Sequence, residues 1–184
     1  YEAGDDVWQA SFSLPAASYD YKVALNDSWA EDYGANGVRG GPNIALTLAA
    51  DATVKFYYDH ESHWVADSAT KTIVVSPGSF QSEIGCTGDW QPDCLLSWLQ
   101  DVDGDGVYTR IFPNIPPGTY DAKAALNETW DVNYGAGGAQ AGADISFTVP
   151  RAGDVLFSFD DASNVLTITP PPAGDLDLTG LGHN

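Results

Sequence analysis

The chain has 184 residues, 43% of them hydrophobic, with 6 Trp, 9 Tyr and 7 Phe, and a net charge of −19 from 7 Lys+Arg against 26 Asp+Glu. Nucleic acid and anionic membrane surfaces are disfavoured as partners, because both are recognised by clustered cations that are missing here. The apolar and aromatic content is too high for a disordered chain, and the acidity reads as a soluble surface.

In chain order, a period of two marks residues 19–25 as a strand, followed by a loop from Asn26 through Trp29 and Tyr33 to Gly34. Residues 53–59 form the next strand, and His60, His63 and Trp64 follow at a hairpin connection. Residues 72–75 read as a further strand. Cys86 and Cys94 then enclose a Gly- and Pro-containing loop with Trp90, which favours a local disulfide and an oxidising compartment over a metal site. Residues 95–99 hold Trp98 among leucines, a core pattern. Strands at 155–159 and 166–169 close the series, with Asp160 to Asn164 between them. No long 3.6-residue period occurs, so the chain is expected to be all-β, as immunoglobulin-like sandwiches.

The sequence repeats itself with a displacement of 101 positions: Asn26, Trp29, Tyr33 and Gly34 return as Asn127, Trp130, Tyr134 and Gly135. The displacement holds without a gap from Pro15/Pro116 to Ser62/Ser163. Two tandem domains are expected, at residues 1–76 and 77–170, with residues 171–184 as a linker whose apolar alternation at 175–178 could also pair as a strand. The first copy lacks counterparts of the opening strand, the cysteine loop and the Trp98 strand. Either a preceding segment was removed or another chain supplies the strand. With no initiator Met, signal peptide or apolar run of membrane-spanning length, the chain reads as a matured product or a piece of a longer protein.

The repeated loop is the first candidate site. Aromatic faces at Trp29, Tyr33, Trp130 and Tyr134 suit the apolar face of a sugar ring, and Asn26 and Asn127 could bond its hydroxyls. The plainer reading is that Trp plugs the loop and Tyr caps a turn. Trp64 is a further platform or a packed turn residue, and Trp90 is open to either role. Asp101, Asp103 and Asp105 have the spacing with which carboxylates and a glycine turn hold calcium, but Phe112 stands where an EF-hand needs Glu, and an acidic hairpin turn is the alternative. No cofactor is required. No zinc spacing, phosphate loop or serine-histidine-acid pattern supports catalysis.

The run Tyr19-x-Tyr21-Lys22-Val23-Ala24-Leu25-Asn26-x-Ser28-Trp29-x-Glu31-x-Tyr33-Gly34, and Gly85-Cys86-x-Gly88-Asp89-Trp90-x-Pro92-x-Cys94 leading into Asp103-Gly104-Asp105-Gly106, resemble accessory modules of bacterial amylopullulanases. The resemblance covers both copies. It implies immunoglobulin-like β-sandwiches similar to starch-binding modules, secreted or at the cell surface, binding α-glucan beside a catalytic domain without being enzymes themselves. Trp64 has no second-copy counterpart, since Val165 stands there. The alternative from a different class is a structural spacer or self-assembling subunit completed by strand donation between chains.

Overall fold

Short apolar alternations broken by Gly, Pro, Asn and Asp produce sixteen strands and no α-helix among the described residues, 6–174, of the computed structural model. They are β1 (Val7–Leu14), β2 (Ser18–Tyr21), β3 (Val23–Ala24), β4 (Asp32–Tyr33), β5 (Ile44–Thr47), β6 (Ala52–Asp59), β7 (Val65–Asp67) and β8 (Val74–Val75). The series continues with β9 (Trp98–Leu99), β10 (Val107–Ile115), β11 (Gly118–Ala122), β12 (Ala124–Leu126), β13 (Asn133–Tyr134), β14 (Ile145–Val149), β15 (Gly153–Asp160) and β16 (Val165–Thr169). The chain is all-β, with sheets packed as β-sandwiches.

In the first half, the sheet β1-β6-β7 faces the pairs β2-β5 and β3-β4. In the second, β10-β15-β16 faces β11-β14 and the four-stranded sheet β13-β12-β8-β9. Local devices recur at the 101-residue displacement. Tyr19 and Tyr120 each donate a hydroxyl bond to the carbonyl four residues back, at Pro15 and Pro116. Asp59 and Asp160 each accept a backbone amide and a serine hydroxyl in the turn that follows them.

The expected strand over residues 19–25 is divided into β2 and β3, because β2 pairs with β5 while β3 pairs with β4 and the chain changes partner at Lys22. Residues 95–99 form a 3-10 turn, Leu95–Ser97, before β9. The boundary drawn at 76/77 divides a continuous sheet: Val74 and Val75 pair with Leu126 and Ala125 on one side and with Leu99 and Trp98 on the other. Backbone pairing thus joins residues 74–75 to the second half. Pro172 is tied to the body through Arg151. The strand alternative at 175–178 lies outside the described residues.

The largest core fills the second half, where Phe80, Phe112, Phe147, Phe157 and Phe159 are buried together. A separate cluster joins the halves: Val7, Tyr57, Trp64 and Ala66 pack with Ile73, Val75, Leu95 and Trp98. Burying such large aromatics gives each ring several kilocalories of stabilising transfer energy, roughly 1.5–3 kcal/mol apiece.

Candidate functional site

The loop after β12 is shaped by two consecutive left-handed residues, Asn127 (φ 57°) and Glu128 (φ 60°), a conformation that Asn tolerates and Glu adopts only when held. Asn127 donates its amide to the Ile73 carbonyl at 2.7 Å and accepts the Ile73 amide on Oδ1 at 3.1 Å. Glu128 accepts both Lys55 Nζ and the Tyr57 hydroxyl. The turn closes by Leu126 N to the Val132 carbonyl, and Asn133 Nδ2 caps the Trp130 carbonyl. Trp130 is therefore presented at the apex, 39% exposed.

A second loop reaches the same surface. Cys86 and Cys94 form a disulfide, and Gln81, fully buried, clamps the loop between them. Its Oε1 accepts the Gln91 amide at 2.7 Å, and its Nε2 donates to the Gln91 carbonyl at 2.8 Å, a side chain acting as a strand partner. Asp89 accepts the Ser82 amide, and Trp90 donates its own amide to the Gly78 carbonyl. So fixed, the Trp90 ring lies 6.3 Å from the Trp130 ring at 37°. Two half-open indoles from distant parts of the chain make one tilted aromatic surface. In the first half Trp29 stands where Trp130 does, is 74% exposed, and has no disulfide loop beside it.

The other sequence candidates have different surroundings. Tyr33 is 5% exposed, stacks on His63 at 4.0 Å, and donates to Glu31 at 2.8 Å, so the ring offers no face to a ligand. Tyr134 is half-buried against Phe159. The chain folds back beside each tyrosine so closely that a Cβ at Gly34 or Gly135 would clash with the Pro42 or Ala143 carbonyl oxygen, which leaves room for glycine only. Trp64, expected as a platform, is 6% exposed and belongs to the cluster between the halves. It is packed there because the hairpin turn before it is closed by Asp59 and Ser62, which aims the indole inward. Asn127 is committed to Ile73, and Asn26 lines a groove beside β2 and β3.

The carboxylates of Asp101, Asp103 and Asp105 come within 4.8 Å of one another. Asp101 already accepts the amides of Gly104, Asp105 and Gly106, and Asp105 that of Val107, so the turn is closed by its own backbone.

Sequence reasoning singled out Trp90 without a partner. The signal was its position between the turn residues Asp89 and Gln91, unlike Trp98 among leucines; the pairing with Trp130 is a tertiary event.

Comparison with known proteins places this architecture. The family model described as the pullulanase X25 domain matches residues 1–65 and 73–166. An amylopullulanase from Thermoanaerobacterium thermosulfurigenes is 38% identical over 178 residues, 93% of this chain and 9% of that protein. Another, from Thermoanaerobacter thermohydrosulfuricus, is 34% identical over 179 residues, 94% of this chain and 12% of that protein. A solved structure, pullulanase from Bacillus acidopullulyticus, is 28% identical with a TM-score of 0.48 over 55% of this chain and 12% of that one. The chain spans 9 to 12% of the length of these two curated relatives, the extent of an accessory module and not of a catalytic enzyme. Because the family match takes in both the Trp29 loop and the disulfide-bearing half, the chain belongs to the pullulanase X25 domain family.

Proposed function

We propose that this chain binds α-glucan for an adjoining starch- or pullulan-degrading catalytic domain in a secreted enzyme, using the Trp90–Trp130 surface as its main sugar platform. The observation carrying this reading is the ring pair itself, 6.3 Å apart, tilted and partly open, with both rings held by buried or bonded loop residues. A partly open indole pair covers successive apolar sugar faces, while rigid loops reduce the ordering cost of binding. Amylopullulanase relatives supply the α-glucan context, and the disulfide suits a secreted protein. Trp29, alone and more exposed, forms a weaker second platform; two weak platforms on one chain gain through effective concentration.

Affinity electrophoresis through amylopectin and pullulan tests the reading. Retardation of the intact chain should fall about tenfold in affinity for Trp130→Ala or Trp90→Ala, the scale of one hot-spot contact, and less for Trp29→Ala. A folded Trp90→Ala, Trp130→Ala double variant that is retarded as strongly as the parent would refute it.

A further inference from the structure

Stacking on an indole fixes the plane of a sugar but leaves its rotation about the ring normal free. An aromatic surface alone therefore does not choose between sugars that share an apolar face, and a ligand site gains orientation from a few polar groups set beside that surface. The loop closed by Cys86 and Cys94 supplies one.

Gln91 follows Trp90 directly, and its backbone and side chain have separate duties. The backbone amide and carbonyl are both bonded to Gln81, at 2.7 and 2.8 Å, which fixes the residue in space. The side chain takes no part in that clamp. Its Oε1 accepts the Thr87 hydroxyl at 3.1 Å, which orients the carboxamide, and its Nε2 makes no hydrogen bond among the described residues. Gly88 leaves that nitrogen uncovered, since a Cβ there would lie 3.4 Å from it. Trp90 and Gln91 are both half-buried and Thr87 is exposed, so the carboxamide lies at the surface of the turn from which the indole is presented.

A free donor is scarce in this setting. Asp89 and Asp93 of the same loop only accept as carboxylates, and Thr87 spends its proton on Gln91. Lys22, Lys55, Arg110 and Lys123 are committed to carboxylates elsewhere. Beyond the indole N–H of Trp90 itself, the Gln91 carboxamide is the donor that the side chains of this loop have left to offer. Sugar hydroxyls both donate and accept; the acidic surface supplies acceptors, and Gln91 supplies the donor.

We infer that Gln91 is the orienting residue of the tryptophan platform: Nε2 donates to a hydroxyl oxygen of the sugar stacked on Trp90 and sets which way round the glucan lies across the ring pair. This role rests on the platform reading and adds a specificity that stacking does not provide. It makes affinity depend on how the sugars are linked, because the linkage turns each ring relative to the next and decides which hydroxyls meet the carboxamide.

The test titrates maltopentaose, an α-linked chain, and cellopentaose, a β-linked one, into the full chain and its Gln91→Met, Gln91→Glu and Trp90→Ala variants. Gln91→Met keeps the side-chain length and the backbone bonds to Gln81 but loses the donor. It should bind maltopentaose about fivefold more weakly, the scale of one uncharged hydrogen bond, at the parent's urea midpoint. The parent's preference for maltopentaose over cellopentaose should shrink in the same variant, and Gln91→Glu, which offers acceptors only, should not restore it. Unchanged maltopentaose affinity in Gln91→Met overturns the assignment. So does an equal loss for both sugars, which would make Gln91 a support of the ring and not a reader of the ligand. The platform fails separately: Trp90→Ala binding maltopentaose as tightly as the parent removes it, whereas a loss at Trp90→Ala with none at Gln91→Met removes the orienting role alone. A parent chain that binds neither sugar overturns both.

Discussion

Tyr57 of β6 donates a 2.6 Å hydrogen bond to Glu128, whose carboxylate also accepts Lys55 Nζ at 2.8 and 2.9 Å. One strand of the first half thus holds the left-handed residue that sets the pose of the Trp130 loop. Glu128→Gln keeps the shape but loses the ion pair and weakens the hydroxyl bond. Urea denaturation should show a loss of about 1–2 kcal/mol, the range for a half-buried charged hydrogen bond, together with weaker glucan retention. An unchanged midpoint would mean that the clamp is idle.

The tryptophans should separate cleanly by stability. Trp64→Ala empties a buried site in the cluster joining the halves and should cost about 3–5 kcal/mol. Trp29→Ala removes an exposed ring and should stay within about 0.5 kcal/mol of the parent by thermal or urea unfolding. A large loss at Trp29 would make it a packing residue.

Opening the Cys86–Cys94 bridge by Cys86→Ser, Cys94→Ser should leave the β-sheet circular dichroism intact. The loop it closes is short, so the expected loss is about 2–3 kcal/mol of chain-entropy restriction. Glucan affinity should fall toward that of Trp90→Ala, because Trp90 is then held only through the hydrogen bonds of its loop to Gly78, Ser82 and Gln81. Full affinity in the double serine variant would show that the bridge plays no part in holding the ring.

At high pH the fold should weaken. Burial raises the ionisation of Tyr21 and Tyr57 above the ordinary 10.0, aided by bonds to Asp67 and Glu128, and pushes Tyr58 up to about 12. Unfolded tyrosines lose their protons near pH 10 while the folded ones keep them. The unfolded state therefore binds fewer protons, and stability is full below pH 10 and is lost as pH rises toward 12. Unfolding free energy measured at pH 9 and pH 11 should drop; a flat profile would contradict the buried hydroxyls.

Asp101 binds three backbone amides of its turn, so Asp101→Ala should lower stability by about 1 kcal/mol in EDTA and in calcium alike. A loss seen only with calcium present would turn the three carboxylates into a cation site.

The all-β class was legible because alternation of buried and open residues survives in β15 and β16, while β6 ends in a run, Tyr57–Asp59, that is buried throughout. β1 was not read: most of its residues are exposed, so its alternation has no core to record. β7 escaped for the opposite reason, being three residues long and wholly buried. Within the site, the repeated loop was visible as a repeat, but a repeat preserves packing and binding residues alike. Only three-dimensional burial distinguishes Trp29 and Trp130 on the surface from Tyr33 and Trp64 inside. The Trp90–Trp130 pair depends on Gln81 reaching the Gln91 backbone, a contact that no local pattern announces.

Asp59 and Asp160 occupy matching positions, yet Asp59 is 2% exposed and accepts Gln100 Nε2 at 2.6 Å and Arg110 NH1 at 3.3 Å, while Asp160 bonds within its own turn. The position matching Arg110 is Gln9. The two ion pairs of the seam have opposite polarity: at Asp59–Arg110 the earlier half offers the anion and the later half the cation, and at Lys55–Glu128 the roles are reversed. A gene in which the halves change places would set Asp160 against Gln9 and strand Arg110 at the far end, so the order of the halves is written into the chemistry of their junction.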